Sequence, residues 1–100
     1  MTSTYALTFR WSLIVWKGVE GANIGAALRG QETPDNTATN NVFNSVTAIF
    51  RWAGTTQTWL GYFPAGEGVP GANDFTTFSR ETAYWIAATS SISWTILTGQ

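Results

Sequence analysis

A chain of 100 residues with 5 basic and 6 acidic side chains and a net charge of −1 has the length of one domain. Its field is too weak to collect nucleic acid or an anionic membrane. Histidine and cysteine are both absent, which removes the usual general base, thiol nucleophile and zinc or iron ligands, so the expectation is a non-enzyme that needs no cofactor and no metal. In place of disulfides the chain has six tryptophans, each in or beside a short alternating apolar run. Large flat rings add buried area that a domain of this size otherwise lacks.

The opening residues Met1-Thr2-Ser3-Thr4 carry no basic or apolar leader region, so no signal peptide is predicted. No apolar run approaches the ~20 residues of a membrane helix. From Tyr5 onward, Leu7, Phe9, Trp11, Leu13 and Val15 share one parity, and Thr8, Arg10 and Ser12 share the other. That is the period of a strand with one buried face. Ile14 and Trp16 break the polar parity, which predicts a bend or burial on both faces near Ser12.

Residues 22–29 change period. Ile24, Ala27 and Leu28 have i, i+3, i+4 spacing and Gly30 suits a C-cap, predicting a helix of about two turns. Residues 31–41 form a loop rich in Thr, Asn and Asp. Val46, Ala48, Phe50 and Trp52 then alternate with Thr47 and Arg51. A Gly-containing loop over residues 53–57 turns the chain into a second strand over 58–63, which makes a hairpin. A long Gly/Pro-rich loop leads to Phe75-Thr76-Thr77-Phe78, read as a single helical turn capped by Asp74. Residues 82–88 and 91–97 form a last hairpin across Thr89-Ser90. The fold is therefore predicted to be all-β with one short helix. About six strands closing into a curled or closed barrel leave the fewest open edges, and a β-sandwich is the alternative.

Parity divides the tryptophans. Trp11 and Trp52 lie on the apolar phase of their strands, and Trp94 falls with Ile92 and Ile96, so these three are expected in the core. On that reading Trp52→Ala should cost about 3–5 kcal/mol. Trp16, Trp59 and Trp85, with Tyr84 beside the last, lie on mixed or opposite phases and form the candidate binding platform. Exposed rings on a rigid sheet either stack on the apolar face of a sugar or anchor a protein interface.

The order of these segments resembles a module that recurs in bacterial secreted and cell-surface proteins. The matching stretches are the strand ending at Trp16 with its short helix, then Val46-Thr47-Ala48-Ile49-Phe50-Arg51-Trp52, then Thr58-Trp59-Leu60-Gly61-Tyr62-Phe63-Pro64. Asn73-Asp74-Phe75-Thr76-Thr77-Phe78 and Ala83-Tyr84-Trp85-Ile86 follow. The likeness runs from about Tyr5 to Leu97. It departs where Arg10-Trp11-Ser12 replaces the module's Gly-Trp-Asn, and where Glu81-Thr82-Ala83 stands at its Lys-Gly turn. The resemblance implies a non-catalytic accessory domain of a longer exported protein, with no common ligand.

Other motifs have structural readings. Gly66-Glu67-Gly68-Val69-Pro70-Gly71 fits G-x-G-x-x-G, but a dinucleotide needs a helix N-terminus behind those glycines, and no βαβ unit is present. The repeat of Phe9-Arg10-Trp11 in Phe50-Arg51-Trp52 stops at the next residue. Arg10 and Arg51 stand on the polar phase of their strands, suited to covering apolar surface with their stems. Glu67, Asp74 and Glu81 are the carboxylates left for acid–base work or for calcium. Calcium seated between Glu67 and Asp74 is the one metal the composition leaves open. The combined expectation is an extracellular or cell-surface structural or protein-interaction module, self-assembling in one version. A carbohydrate-binding module using its tryptophans is the alternative.

Overall fold

A computed structural model describes residues 2–30 and 41–97, without the side chains of Thr2 and Leu97; the loop expected over residues 31–41 lies almost wholly outside them. The chain is predominantly β with one helix. In order come β1 (Thr2–Leu7), β2 (Arg10–Val15), β3 (Ala22–Asn23), α1 (Ile24–Arg29), β4 (Val46–Ala53), β5 (Thr58–Tyr62), β6 (Thr77–Phe78), β7 (Ala83–Ala88) and β8 (Ile92–Leu97). All pairings are antiparallel: β1 with β8, the four-stranded sheet β2-β7-β4-β5, and the short pair β3-β6.

The expected final hairpin does not form. β7 and β8 run in sequence but pair with different partners, β7 between β2 and β4 and β8 with β1. Two long stretches, β1-β2 and β7-β8, lie antiparallel and bend together from one sheet into the next. The register gives the reason: Leu7 faces Ile92, while Arg10 faces Ala88. Two residues intervene on one stretch and three on the other. Arg10 at the bend has φ 78°, so the left-handed backbone of a non-glycine residue makes the turn. Tyr5 fastens the bend from inside. Its hydroxyl donates to the Val15 carbonyl at 2.7 Å and accepts from the Lys17 amide at 2.9 Å. Burial pushes that phenol up to about 12.

The bend reverses the expected face of β2. Leu7 points inward on β1, but beyond Arg10 the even positions Ile14 and Trp16 are buried, while Trp11 and Leu13 are exposed. A second irregularity does the same on β4. Its register with β7 shifts between Val46 and Ala48, leaving Thr47 as the extra residue of a bulge. Val46 and Ile49 therefore face the core, and Phe50 and Trp52 face outward. Because side chains alternate with a period of two, one inserted residue moves everything after it to the other side.

The core lies on the inner side of the four-stranded sheet, under β1, β8 and α1. Trp16 and Trp94 are both fully buried at its centre. The Trp16 ring stacks on Phe78 at 4.2 Å, and its Nε1 donates to the Val19 carbonyl at 2.9 Å. Trp94 Nε1 donates to the Ala27 carbonyl of α1 at 3.1 Å. The helix forms as expected: the Asn23 side chain caps the Ala26 amide at 3.0 Å, and Gly30 ends it at φ 67°. The hairpin β4-β5 also forms as expected, with Trp52 opposite Trp59. The helical turn expected at Asp74 does not. Thr77–Phe78 is β6, paired with β3, and the Asp74 carboxylate instead accepts from the Gly61 amide at 2.9 Å.

Arg10, where the resembled module has glycine, and Glu81, in the stretch that stands at its Lys-Gly turn, sit at φ 78° and 64°. A side chain in that region costs about 1–2 kcal/mol relative to glycine, offset in part by the greater freedom of unfolded glycine. Arg10→Gly and Glu81→Gly are therefore each expected to raise the midpoint of chemical denaturation, by roughly 0.5–1 kcal/mol of stability. A lower midpoint in both would contradict the backbone described for these bends.

Candidate functional site

The outer face of the four-stranded sheet is built almost wholly of apolar side chains. β2 contributes Trp11, Leu13 and Val15, and β7 contributes Ala83, Trp85 and Ala87. β4 adds Ala48, Phe50 and Trp52, while Trp59, Gly61 and the following Phe63 come from the β5 side. None of these residues carries a charge or a hydroxyl. One row crosses all four strands: Leu13 faces Trp85, Trp85 faces Phe50, and Phe50 faces Gly61. Gly61 is required in that row. A Cβ there would lie 2.9 Å from the Phe50 ring and 3.1 Å from the Phe63 ring, which meet edge-on above it at 5.7 Å between centroids.

Trp11 (47% exposed), Trp52 (50%), Trp59 (54%) and Trp85 (39%) all reach solvent. Trp52 and Trp59 pack edge to face at 5.2 Å, and Trp11 lies 5.7 Å from Phe50. Trp11, Phe50, Trp59 and Trp85 line a shallow open depression of about 670 Å³. Among the described residues, α1 and the paired strands β1-β8 and β3-β6 pack on the inner side of this sheet, and nothing packs on the outer side.

The structure therefore divides the expected platform. Trp59 and Trp85 are on it. Trp16 is a core residue, because the bend at Arg10 turns its parity inward. Tyr84 is also buried, and its hydroxyl accepts the Ser79 amide at 2.7 Å. Trp11 and Trp52, expected in the core, are on the open face; Trp94 is in the core as expected. Leu13, Phe50 and Phe63 complete a face that strict alternation missed. The available signal was the three-residue spacing of Val46 and Ile49, together with Ile14 and Trp16 breaking the polar phase.

The polar groups singled out from the sequence lie elsewhere. Glu67 is held by two partners: the Arg29 guanidinium at 2.8 Å and the Tyr62 hydroxyl, which donates to its other oxygen. Arg29 also lies over the Phe43 ring at 3.9 Å. Together these contacts tie the Gly/Pro-rich loop to α1 and β5. Asp74 and Asn73 close the edge of β5, Asp74 through Gly61 and Asn73 through the Phe63 amide at 2.7 Å. No group of three or more acidic side chains suited to a metal ion occurs among the described residues. Melting curves in EDTA and in millimolar calcium are expected to overlay. A rise of several degrees with calcium that is lost in Asp74→Ala would contradict the purely structural role of this loop. Arg10 and Arg51 are not brought together, since β7 separates their strands; Arg10 lies over Phe9 and Arg51 over Phe75.

The latch at Glu67 sets an acid limit. Partial burial raises the carboxyl's pKa, but the hydrogen bonds from Tyr62 and Arg29 outweigh it and hold the group below the usual carboxylate range. A depressed folded-state pKa gives stability that is present above the unfolded value and lost as pH falls through the folded one. The denaturation midpoint of the wild-type chain is expected to drop below about pH 4.5 more steeply than that of Glu67→Gln. Parallel pH profiles would contradict the latch.

No helix among the described residues is long and apolar enough to cross a membrane. No protein family, curated protein or solved structure matches the chain.

Proposed function

We propose that the chain is a non-catalytic structural or protein-interaction module whose working surface is the outer face of the sheet β2-β7-β4-β5. The observation that carries this reading is the continuous apolar face centred on Trp85 and Phe50, open to solvent and free of charge. Single exposed apolar residues are ordinary, but a contiguous patch of rings on a rigid sheet is the composition of an interface core. A sugar platform sets charged or amide side chains beside its rings to bind hydroxyls; this face carries indole N–H groups but no charged, amide or hydroxyl side chain, which favours protein over carbohydrate. The bent ribbon of β1-β2 and β7-β8 wrapped round one core is best read as a curled, incomplete barrel rather than a sandwich. The assignment to an extracellular bacterial protein rests on the motif order, and the positive φ at Arg10, where the resembled module has glycine, is consistent with it.

Trp59→Ala separates the binding classes. The ring is half exposed, so its loss should leave the chain folded. A protein-interaction face predicts weaker association and no change of tryptophan fluorescence with a polysaccharide panel. A fluorescence shift with a sugar, abolished in Trp59→Ala, would transfer the face to carbohydrate.

A further inference from the structure

Resting on the reading of this sheet as an interaction face, we infer that its occupant is a second copy of the same chain, packed face to face about a two-fold axis. The first argument is area. At the exposures found for Trp11, Leu13, Trp52, Trp59, Phe63 and Trp85, side chains of about 150–250 Å² leave about 400–700 Å² of apolar surface in water. The largest apolar patch of an ordinary monomer is about 300–600 Å², and a standard interface buries about 800 Å² on each partner. The face stands at the upper end of the monomer range and supplies most of half of a stable dimer.

The second argument is self-complementarity. A two-fold interface sets one surface against a copy of itself, so a charge with no opposite charge suitably placed on the same face would be buried unpaired. This face has none. It does have relief: Trp11, Phe50, Trp59 and Trp85 line a shallow open depression, and the Trp59 ring beside it is half exposed. A ring from one copy can enter the depression of the other, with the two sheets about 10 Å apart. The third argument concerns the edge. Asn73 and Asp74 occupy backbone amides of Phe63 and Gly61 along the outer side of β5, which disfavours addition of a strand at that edge, the one beside Trp52 and Trp59.

Sedimentation equilibrium of the full chain from about 1 µM to 1 mM is the test. The expected mass rises from the 10.9 kDa of one chain to twice that and stops. Because no charge is buried, salt between 50 mM and 1 M should not weaken association. Trp85→Glu places an acid at the centre of the face and Leu13→Glu one on its β2 side, directly opposite Trp85, and each should raise the dissociation constant at least about 100-fold. Leu13 is 55% exposed, so Leu13→Glu should keep its far-ultraviolet circular dichroism and melting cooperativity even if Trp85→Glu does not. A wild-type chain monomeric at 1 mM would overturn the second copy, as would growth beyond the dimer or flotation of a monomer with phosphatidylcholine vesicles. In the monomeric case, binding of the apolar dye ANS that Leu13→Glu abolishes would leave the interaction face standing with another partner. With no dye bound either, both readings fail together.

Discussion

Trp16→Ala is expected to be among the most destabilising single substitutions in the chain, costing about 3–5 kcal/mol. The ring is fully buried, stacks on Phe78 and approaches Trp94 at 5.7 Å. Its removal leaves a cavity at the junction of β2, β6 and β8 and takes away one of two hydrogen bonds on the Val19 carbonyl, which keeps the Ala22 amide at 3.2 Å. Against a total stability of about 5–15 kcal/mol, such a loss lowers the melting temperature by roughly 15–30 °C. Trp52→Ala provides the contrast. Half exposed and touching Trp59 at its edge, Trp52 should cost about 1 kcal/mol, not the 3–5 kcal/mol that strand parity implied. Both are to be measured by denaturant titration at a fixed low concentration, since association would add its own stabilisation. Equal losses would contradict the assignment of the two faces.

The second large effect is expected from a change that looks harmless. Gly18 is buried against the flat side of Trp16, and a Cβ there would lie on the indole, 2.8 Å from Cε2. The ring cannot retreat, because Phe78 and Trp94 hold its other contacts. Gly18→Ala should therefore cost about 1–3 kcal/mol by overpacking, although alanine in place of glycine in an exposed loop is usually neutral or mildly stabilising. The coupling is specific to the indole. In a Trp16→Phe background the overlapping atoms are gone, and the penalty for Gly18→Ala should shrink, as a double-mutant cycle reads directly. A penalty unchanged by Trp16→Phe would place its cause in the backbone instead.

The longer strands, the β4-β5 hairpin and the helix with its Gly30 cap were legible because each depends on local chemistry: alternation, a Gly-containing loop, and the i, i+3, i+4 spacing of α1; the short strands β3 and β6, read as helix, were not. What could not be read was which side of each strand faces inward. That depends on two single-residue irregularities, the left-handed Arg10 and the bulge at Thr47. Neither uses the glycine that usually announces such a conformation, and each reverses the faces of everything after it. Partner choice was equally hidden. Thr89, Ser90 and Ser91 look like a hairpin loop, yet they form a corner where β7 passes into β8, and only the long-range pairing of β1 with β8 and β2 with β7 decides that. For the candidate site, Trp59 and Trp85 were found because apolar residues share the opposite parity, Leu60 and Tyr62 for Trp59, and Tyr84 and Ile86 for Trp85. Trp11, Phe50 and Trp52 were missed because an apolar stripe ordinarily faces the core, and here an equally apolar stripe lies on both sides of the sheet.

That two-sided sheet is the physical basis of the proposed role. A four-stranded antiparallel sheet with one face on its core commonly turns a polar face to water. This chain instead has tryptophans on both sides: Trp16 lies in the core with Trp94, while Trp11, Trp52, Trp59 and Trp85 reach solvent on the face proposed to meet a partner. Hydroxyl-radical footprinting read tryptophan by tryptophan tests the division most directly. At about 1 µM, where a weak dimer is dissociated, Trp11, Trp52, Trp59 and Trp85 should oxidise rapidly while Trp16 and Trp94 stay protected. At millimolar concentration the first four should become protected as well. Oxidation of Trp16 at the rate of Trp59, with Trp11 and Trp52 protected in the dilute chain, would contradict the account.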